Sequence, residues 1–160
     1  MAAARAGSVR APGGRHQQAL HPIRRTLPGA APPDPRSRKG LAAGTQSMTL
    51  IMEDRDIPKN LKADGTFLHW VVMNIPVETR EIRRGEVVGV SGASGNGVSG
   101  YMGPCPPKQY EPTEHRYYFD LYALDTTLSL PEGAKVADVR AAIEGHVIAH
   151  ATMMGRYERK

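Results

Sequence analysis

The hydrophobic positions of this 160-residue chain fall into short apolar runs separated by turn-forming residues. Residues 45–54 and 66–76 are apolar over most of their length, which predicts two buried strands. Residues 116–125 alternate between two faces, as expected of a third strand. The apolar run 146–157 suits a last strand, so the pattern predicts a fold built mainly from strands.

A single stretch has helical periodicity. Apolar residues recur at helical spacing between residues 135 and 144, and Gly145 suits the end of this helix. A short strand is predicted at residues 86–90, beside a glycine-rich segment that lacks the Gly-Lys-Ser/Thr ending of a P-loop. No βαβ alternation is present, which predicts an antiparallel, mainly β fold with one short helix.

A stiff loop precedes the aromatic third strand. It comprises residues 100–107, Gly-Tyr-Met-Gly-Pro-Cys-Pro-Pro. Three prolines in four residues fix the backbone angle φ and remove backbone donors, so neither a helix nor a sheet can pass through. His115 follows at the start of the strand. A rigid turn beside a histidine is suited to form the wall of a small polar ligand site.

The positive charge of the chain is confined to its N-terminal part. Residues 1–47 contain eight Lys or Arg and a single acid, Asp34. Residues 48–160 contain 13 basic and 15 acidic side chains, a formal charge of −2. The single cysteine, Cys105, excludes an internal disulfide.

Residues 1–43 are rich in Ala, Arg, Gly and Pro and show no periodic pattern. They have too little apolar surface to offset the entropy of ordering, so we predict a disordered or non-native basic leader and one domain at residues 44–160. The leader lacks aromatic side chains that stack on bases, so no nucleic-acid partner is expected. Without a transmembrane run we expect a cytoplasmic protein, although an Arg- and Ala-rich start is also typical of organelle transit peptides.

Four motifs occur in an order and spacing that resemble the phosphatidylethanolamine-binding protein family, and especially its bacterial, Raf-kinase-inhibitor-like branch. They are Asp54-Arg55-Asp56-Ile57-Pro58, His69-Trp70, the loop at 100–107 and His115-Arg116-Tyr117. Residues 145–149 and 155–159 resemble the C-terminus of that branch, so the resemblance covers about residues 44–160.

The resemblance implies a Greek-key antiparallel β-sandwich of the phosphatidylethanolamine-binding type. It also implies a non-enzymatic binding module, without a cofactor, whose small anion pocket accepts phosphate-like head groups. The ligand-binding residues implied in this way are Asp54, Asp56, His69, Tyr101, Pro107, His115 and Tyr117.

The chain departs from the family pattern in two places. Arg55 stands where the family usually has proline between two aspartates. The segment Ala31–Ser37 replaces a Ser-Pro-Pro…Trp-Ser stretch and lacks the tryptophan. We therefore expect the N-terminal strands to be missing or altered, through a shifted reading frame or a wrong start, which would expose a sheet edge.

The residue types in this set suit a phosphate monoester, which needs several donors in a shielded place. His69 and His115 can each donate and can become charged near neutral pH, and the two tyrosines add hydroxyl donors. Asp54 and Asp56 can fix a histidine tautomer or accept from an amine or hydroxyl of the ligand. Two alternatives to ligand contact stay open. His69 could be a histidine of the core, and Asp56 could be a residue that organises a turn.

Three further expectations concern local structure. At least one of the Ile57–Pro58 and Pro106–Pro107 peptide bonds is expected to be cis, as in many rigid loops at ligand sites. Cys105 is expected to be a small buried residue. The methionines expected to fill the core are Met48, Met52, Met73, Met153 and Met154.

Two other classes of protein have the required residue types. A hydrolase would use Cys105 with His115 and an acid, but nothing in the sequence indicates an activated thiolate. A metal-binding protein would use Asp54, His69 and His115, although no closely spaced ligand pair is present. A homodimer and the regulation of a partner protein are also compatible with the sequence.

Limited proteolysis should trim the chain to near residue 44 and leave a resistant core, because the leader has too little apolar surface to fold. Mass spectrometry of the digest would locate the first stable cut. Uniform digestion throughout the chain would instead show that residues 44–160 do not form a stable domain.

Overall fold

The computed structural model describes residues 40–160, which form one five-stranded antiparallel sheet and one helix. The elements are β1 (Ser47–Asp54), β2 (Phe67–Ile75), β3 (Val90–Ser91), β4 (Glu114–Leu124), α1 (Val136–Ile143) and β5 (Val147–Glu158). The strand order is β3-β2-β1-β4-β5. For these residues, the predicted class of a mainly antiparallel β fold with one short helix is confirmed.

The predicted basic leader and the altered N-terminal strands lie outside the described residues, apart from Gly40–Ala43. Within residues 40–160, no helix is both long and apolar enough to cross a membrane.

Strand β1 lies at the centre of the sheet because both of its faces are apolar. On one face, which we call the helix face, fully buried Ile51 belongs to the same core as Val71 and Val139 of α1. On the opposite face, which we call the site face, Met48 packs with Val72. Burying each such side chain contributes about 1.5–3 kcal/mol, so the two cores hold β1 from both sides.

An extra residue in β2 interrupts its pairing with β1 between Met48 and Leu50. The residue in this bulge is Asn74, which has a positive φ of 54°. Its side-chain amide donates to the carbonyl of Leu128 and accepts from the Leu128 amide, both at 2.8 Å. Asn74 therefore ties the segment after β4 to the sheet.

A short strand was predicted at residues 86–90. The observed strand, β3, is Val90–Ser91, so it overlaps the predicted range at Val90 alone. Gly89, with φ of 61°, lies so close to β2 that a Cβ would be 2.2 Å from the Met73 carbonyl oxygen. The chain before Val90 therefore approaches β2 as a turn, and pairing starts after the glycine.

The expectation of a cis bond before Pro58 or Pro107 is wrong. Among the described residues the cis peptide bond is Glu111–Pro112. A trans bond suffices at Pro58 because its carbonyl accepts from the amides of Leu61 and Lys62 and closes the turn. The 100–107 loop is instead fixed by hydrogen bonds of Met102.

The burial expected of two methionines and of Cys105 is also wrong. Met153 and Met154 are 61% and 43% exposed because β5 is an edge strand with no described element covering it. Cys105 is exposed because the adjacent Pro106 occupies the buried position in the loop. Met48, Met52 and Met73 are buried as predicted.

Replacing Asn74 by alanine should lower the free energy of unfolding by about 2–3 kcal/mol. The change removes both hydrogen bonds to Leu128 and leaves a Cβ at a positive φ. Urea denaturation would measure this change in the free energy of unfolding. Asn74→Gly is the control, because glycine relieves the backbone strain but restores no hydrogen bond, and it should be the less damaging change.

Candidate functional site

A buried aspartate–histidine pair joins the end of β1 to the start of β4. Asp54 is the last residue of β1 and pairs in register with Tyr117 of β4. The Nδ1 atom of His115 lies 2.5 Å from Asp54 Oδ2, and the two side chains are 0% and 3% exposed. The other oxygen, Oδ1, accepts from the amide of Asp56 at 2.9 Å. Because an ionised carboxylate can only accept, His115 donates through Nδ1 and turns Nε2 away from Asp54.

A second bulge turns His69 toward this pair. Trp70 pairs with Met52 and Leu68 with Glu53, so His69 is an extra residue in β2. Its ring stands edge-on to that of Tyr117, with centroids 5.2 Å apart. A bulge commonly re-aims a side chain in this way near a functional site. It brings His69 to the site face, where Asp54 and Tyr117 also lie.

The 100–107 loop fixes the orientation of His69. The Met102 amide donates to the His69 carbonyl, and His69 Nδ1 donates to the Met102 carbonyl, both at 2.9 Å. A carbonyl can only accept, so Nδ1 carries the proton and Nε2 is available for a ligand. The ring of Phe67 also packs edge-on against that of His69, with ring centroids 5.1 Å apart.

Two buried polar atoms of this site have no hydrogen-bond partner within residues 40–160. They are His115 Nε2 and the hydroxyl of Tyr117. Burial, reinforced by the charge of Asp54, raises the pKa of Tyr117 well above its ordinary value, so the phenol keeps its proton and stays a donor. Leaving such groups unpaired costs about 1–3 kcal/mol each, which favours a polar ligand that pairs with them.

Asp56 has a different set of partners. Its carboxylate accepts from the Arg116 amide at 2.8 Å and from the Arg116 guanidinium, with the shortest contact at 2.5 Å. The side-chain hydrogen bond to Arg116 is the main cause that lowers the pKa of Asp56. Both oxygens are therefore used to fix the turn after β1, as a turn residue would require.

Two further predicted residues lie around the cluster. Tyr101 is 52% exposed and packs edge-on against Trp70, with ring centroids 5.4 Å apart. Pro107 is half-buried in the same loop. The structure thus brings Asp54, His69, His115 and Tyr117 together, places Tyr101 beside the neighbouring Trp70, and ties Asp56 to Arg116.

Three contributors to the site were not among the predicted residues. Phe67 is two positions before His69 on the same strand, so strand alternation could have identified it. Arg116 lies between the predicted His115 and Tyr117, but nothing in its spacing indicates a partner at Asp56. The contribution of Met102 is made by its main chain, for which side-chain identity gives no signal.

The alternatives gain no support from the geometry. Among residues 40–160, no group of three or more His, Cys, Asp or Glu side chains is arranged to hold a metal ion. Cys105 makes no hydrogen bond to His115 Nε2, which excludes a preformed thiol–imidazole pair in the described structure. A groove of about 720 Å³ between Lys62, Gly95 and Lys135 contains none of the predicted site residues.

Comparison with known proteins assigns this mainly antiparallel sheet, with its buried polar cluster, to a family of binding-type proteins. Residues 29–158 match the model of the phosphatidylethanolamine-binding protein family, and the match starts before the predicted domain boundary at residue 44. A UPF0098 protein of Chlamydia muridarum is 38% identical over 126 residues, 78% of this chain and 81% of the relative. A UPF0098 protein of Pyrococcus horikoshii is 39% identical over 148 residues, 87% of this chain and 71% of the relative. The chain belongs to the phosphatidylethanolamine-binding protein family.

Solved structures support the same assignment. The crystal structure of a putative phosphatidylethanolamine-binding protein homologue from Chlamydia trachomatis aligns with a TM-score of 0.70 and 38% identity, covering 76% of this chain and 77% of that one. YbcL of E. coli, described as a new member of the mammalian PEBP family, aligns with a TM-score of 0.63 and 29% identity, covering 76% of each chain. The resemblance noted in the sequence and the fold class are therefore confirmed.

The Asp56–Arg116 pair should make stability depend on pH. Because the folded-state pKa of Asp56 is lowered from 3.8, its stabilisation is present above that value and is lost as pH falls through the folded-state pKa. Asp56→Asn should therefore destabilise the protein at neutral pH and less at an acid pH below 3.8. Urea denaturation at several pH values would test this, with Glu78→Gln, an exposed acid, as the matched control. An equal effect of Asp56→Asn at both pH values would contradict the assignment.

Proposed function

We propose that the chain is a non-enzymatic binding module whose site on the site face takes a small anion, such as phosphate or a phosphorylated head group. The observation that carries this proposal is the pair of buried, unpartnered polar atoms, His115 Nε2 and the Tyr117 hydroxyl. His69 lies beside Tyr117, and its Nε2 atom becomes a further donor when the ring carries two protons. With both histidine rings protonated, these groups supply three donors for the oxygens of a phosphate-like anion.

Asp54 acts in this proposal as a positioning residue. Its two oxygens are engaged by His115 and by the Asp56 amide, so it does not contact the anion. It holds the Nδ1 proton of His115, which directs Nε2 toward the ligand. When the His115 ring carries two protons, Nε2 is a donor for the anion.

Asp56, Tyr101 and Pro107 have supporting roles. Through its hydrogen bonds to Arg116, Asp56 fixes the turn after β1. The main-chain amide in this turn is the one that donates to Asp54. The exposed Tyr101 and the half-buried Pro107 form the rim. A partner protein regulated by this chain would contact that rim. A cytoplasmic location, where phosphorylated small molecules are abundant, belongs to the same proposal.

His115→Ala should abolish most phosphate binding, whereas His146→Ala should leave it unchanged. His146 is exposed and pairs with Asp125, away from the site, so the two variants differ in position and not in residue type. Binding of inorganic phosphate, followed by NMR titration of the full chain, should be weak, with a Kd of about 1–10 mM, because so small a ligand makes few contacts. Binding should weaken as pH rises, because cationic histidines hold an anion more strongly than neutral ones.

Since His115 is fully buried, its removal also risks the fold, and Tyr117→Phe provides an independent test. This change deletes one buried hydroxyl without a protein partner. It should weaken phosphate binding about 3- to 10-fold and leave the free energy of unfolding unchanged or slightly higher. Unaltered binding in Tyr117→Phe, or equal loss in His115→Ala and His146→Ala, would refute the proposed site.

A further inference from the structure

The C-terminal end of β5 lies beside the two residues whose buried polar atoms have no partner. Tyr157 pairs in register with His115 of β4, and Gly155 pairs with Tyr117. Side chains paired across antiparallel strands point to the same face, so Tyr157 lies on the site face. It is the direct neighbour of His115 and the diagonal neighbour of Tyr117, both within reach of an aromatic side chain.

Tyr157 extends from the buried cluster to the surface. It is 36% exposed, whereas His115 and Tyr117 are 0% and 2% exposed. The strand around it is held in place on both sides, because Arg156 contacts Glu114 and Glu158 accepts from Thr113. The position of Tyr157 beside the cluster is therefore fixed by its neighbours in the chain.

Gly155 leaves an open space next to Tyr157. A Cβ added at Gly155 would meet no atom within 4 Å, and Gly155 is not one of the glycines with a positive φ. Among the described residues, neither packing nor backbone geometry therefore requires a glycine at this position. What the missing side chain provides is room on the site face, between Tyr157 and the exposed Met153.

The other side of the cluster also carries aromatic rings. Trp70 of β2 packs in the same core as Met48, on the site face, and the half-exposed Tyr101 packs edge-on against it. Strands β2 and β5 are separated by β1 and β4, so they lie about 14 Å apart, three strand spacings. Aromatic side chains therefore border the cluster on the β2 side and on the β5 side.

We infer that Tyr157 is a specificity-determining residue of the anion site, and that the site takes a phosphate monoester with an aromatic substituent. This inference rests on the proposed function. The donors of the cluster hold three phosphate oxygens, so the fourth, the ester oxygen, directs its substituent outward. There the substituent lies above Gly155 and contacts the ring of Tyr157. A ring–ring contact of this kind improves affinity by about 3- to 10-fold.

NMR titration of the full chain with three probes tests this inference. The probes are inorganic phosphate, methyl phosphate and phenyl phosphate, compared at one pH. The wild type should bind phenyl phosphate about 3- to 10-fold more tightly than methyl phosphate. Tyr157→Leu should remove this preference and leave the affinity for inorganic phosphate unchanged, which a general disturbance of the fold would not do.

Two further variants make the test specific. Gly155→Val fills the open space, so it should lower the affinity for phenyl phosphate to that for methyl phosphate. Tyr118→Leu is the matched control, because Tyr118 lies on the same end of β4 but pairs with Met154 on the helix face. This control should keep the full preference for phenyl phosphate.

The possible results separate this inference from the proposed function. If the wild type binds inorganic phosphate but shows no preference for phenyl phosphate, the inference is overturned and the anion site stands. A preference that survives in Tyr157→Leu, or that is lost equally in Tyr118→Leu, would overturn the inference in the same way. Failure of the wild type to bind any of the three probes would refute the proposed function together with the inference.

Discussion

The hydrogen bond between Asp54 and His115 is the interaction on which the site depends. It joins the last residue of β1 to β4 in a place from which water is excluded. Removing one member of a buried pair costs about 3–5 kcal/mol, because the other is left without compensation. The same bond fixes the histidine tautomer, and the second Asp54 oxygen starts the turn that Asp56 completes. Strand pairing, turn geometry and the histidine tautomer therefore rest on one carboxylate.

The two faces of the sheet differ in polarity toward the end of β1. The helix face is a continuous apolar core around Ile51, Val71 and Val139 of α1. The site face has a smaller core near Met48 and becomes polar toward Asp54, at the opposite end of β1. Polar groups near Asp54 can remain unpaired in the protein, because apolar contacts on the helix face stabilise the same strands from the opposite face of the sheet.

The strands and the helix could be predicted because their patterns are local. The alternation in β4 and the spacing in α1 gave bounds close to those observed. The apolar run at residues 146–157 correctly predicted strand β5. Whether the side chains of β5 are buried depends on which element packs against the strand, and sequence periodicity carries no information about that element. Four of the candidate residues, Asp54, His69, His115 and Tyr117, lie together in the folded chain, and their part in ligand binding stays a prediction. The contact of Asp56 with Arg116 could not be predicted, because it depends on which segments lie side by side in the folded sheet.

The bulge at His69 has a consequence for how the site can be lost in evolution. Strict alternation would place His69 on the same face as Val71 and Met73, beneath the helix. One inserted residue is what separates the proposed site from the core of the helix face. Deletion of that single codon would leave the pairing of β1 with β2 in register on both sides of the gap, while removing a histidine from the proposed site. The same deletion would remove both hydrogen bonds between His69 and Met102, so the 100–107 loop would lose its contact with the sheet there.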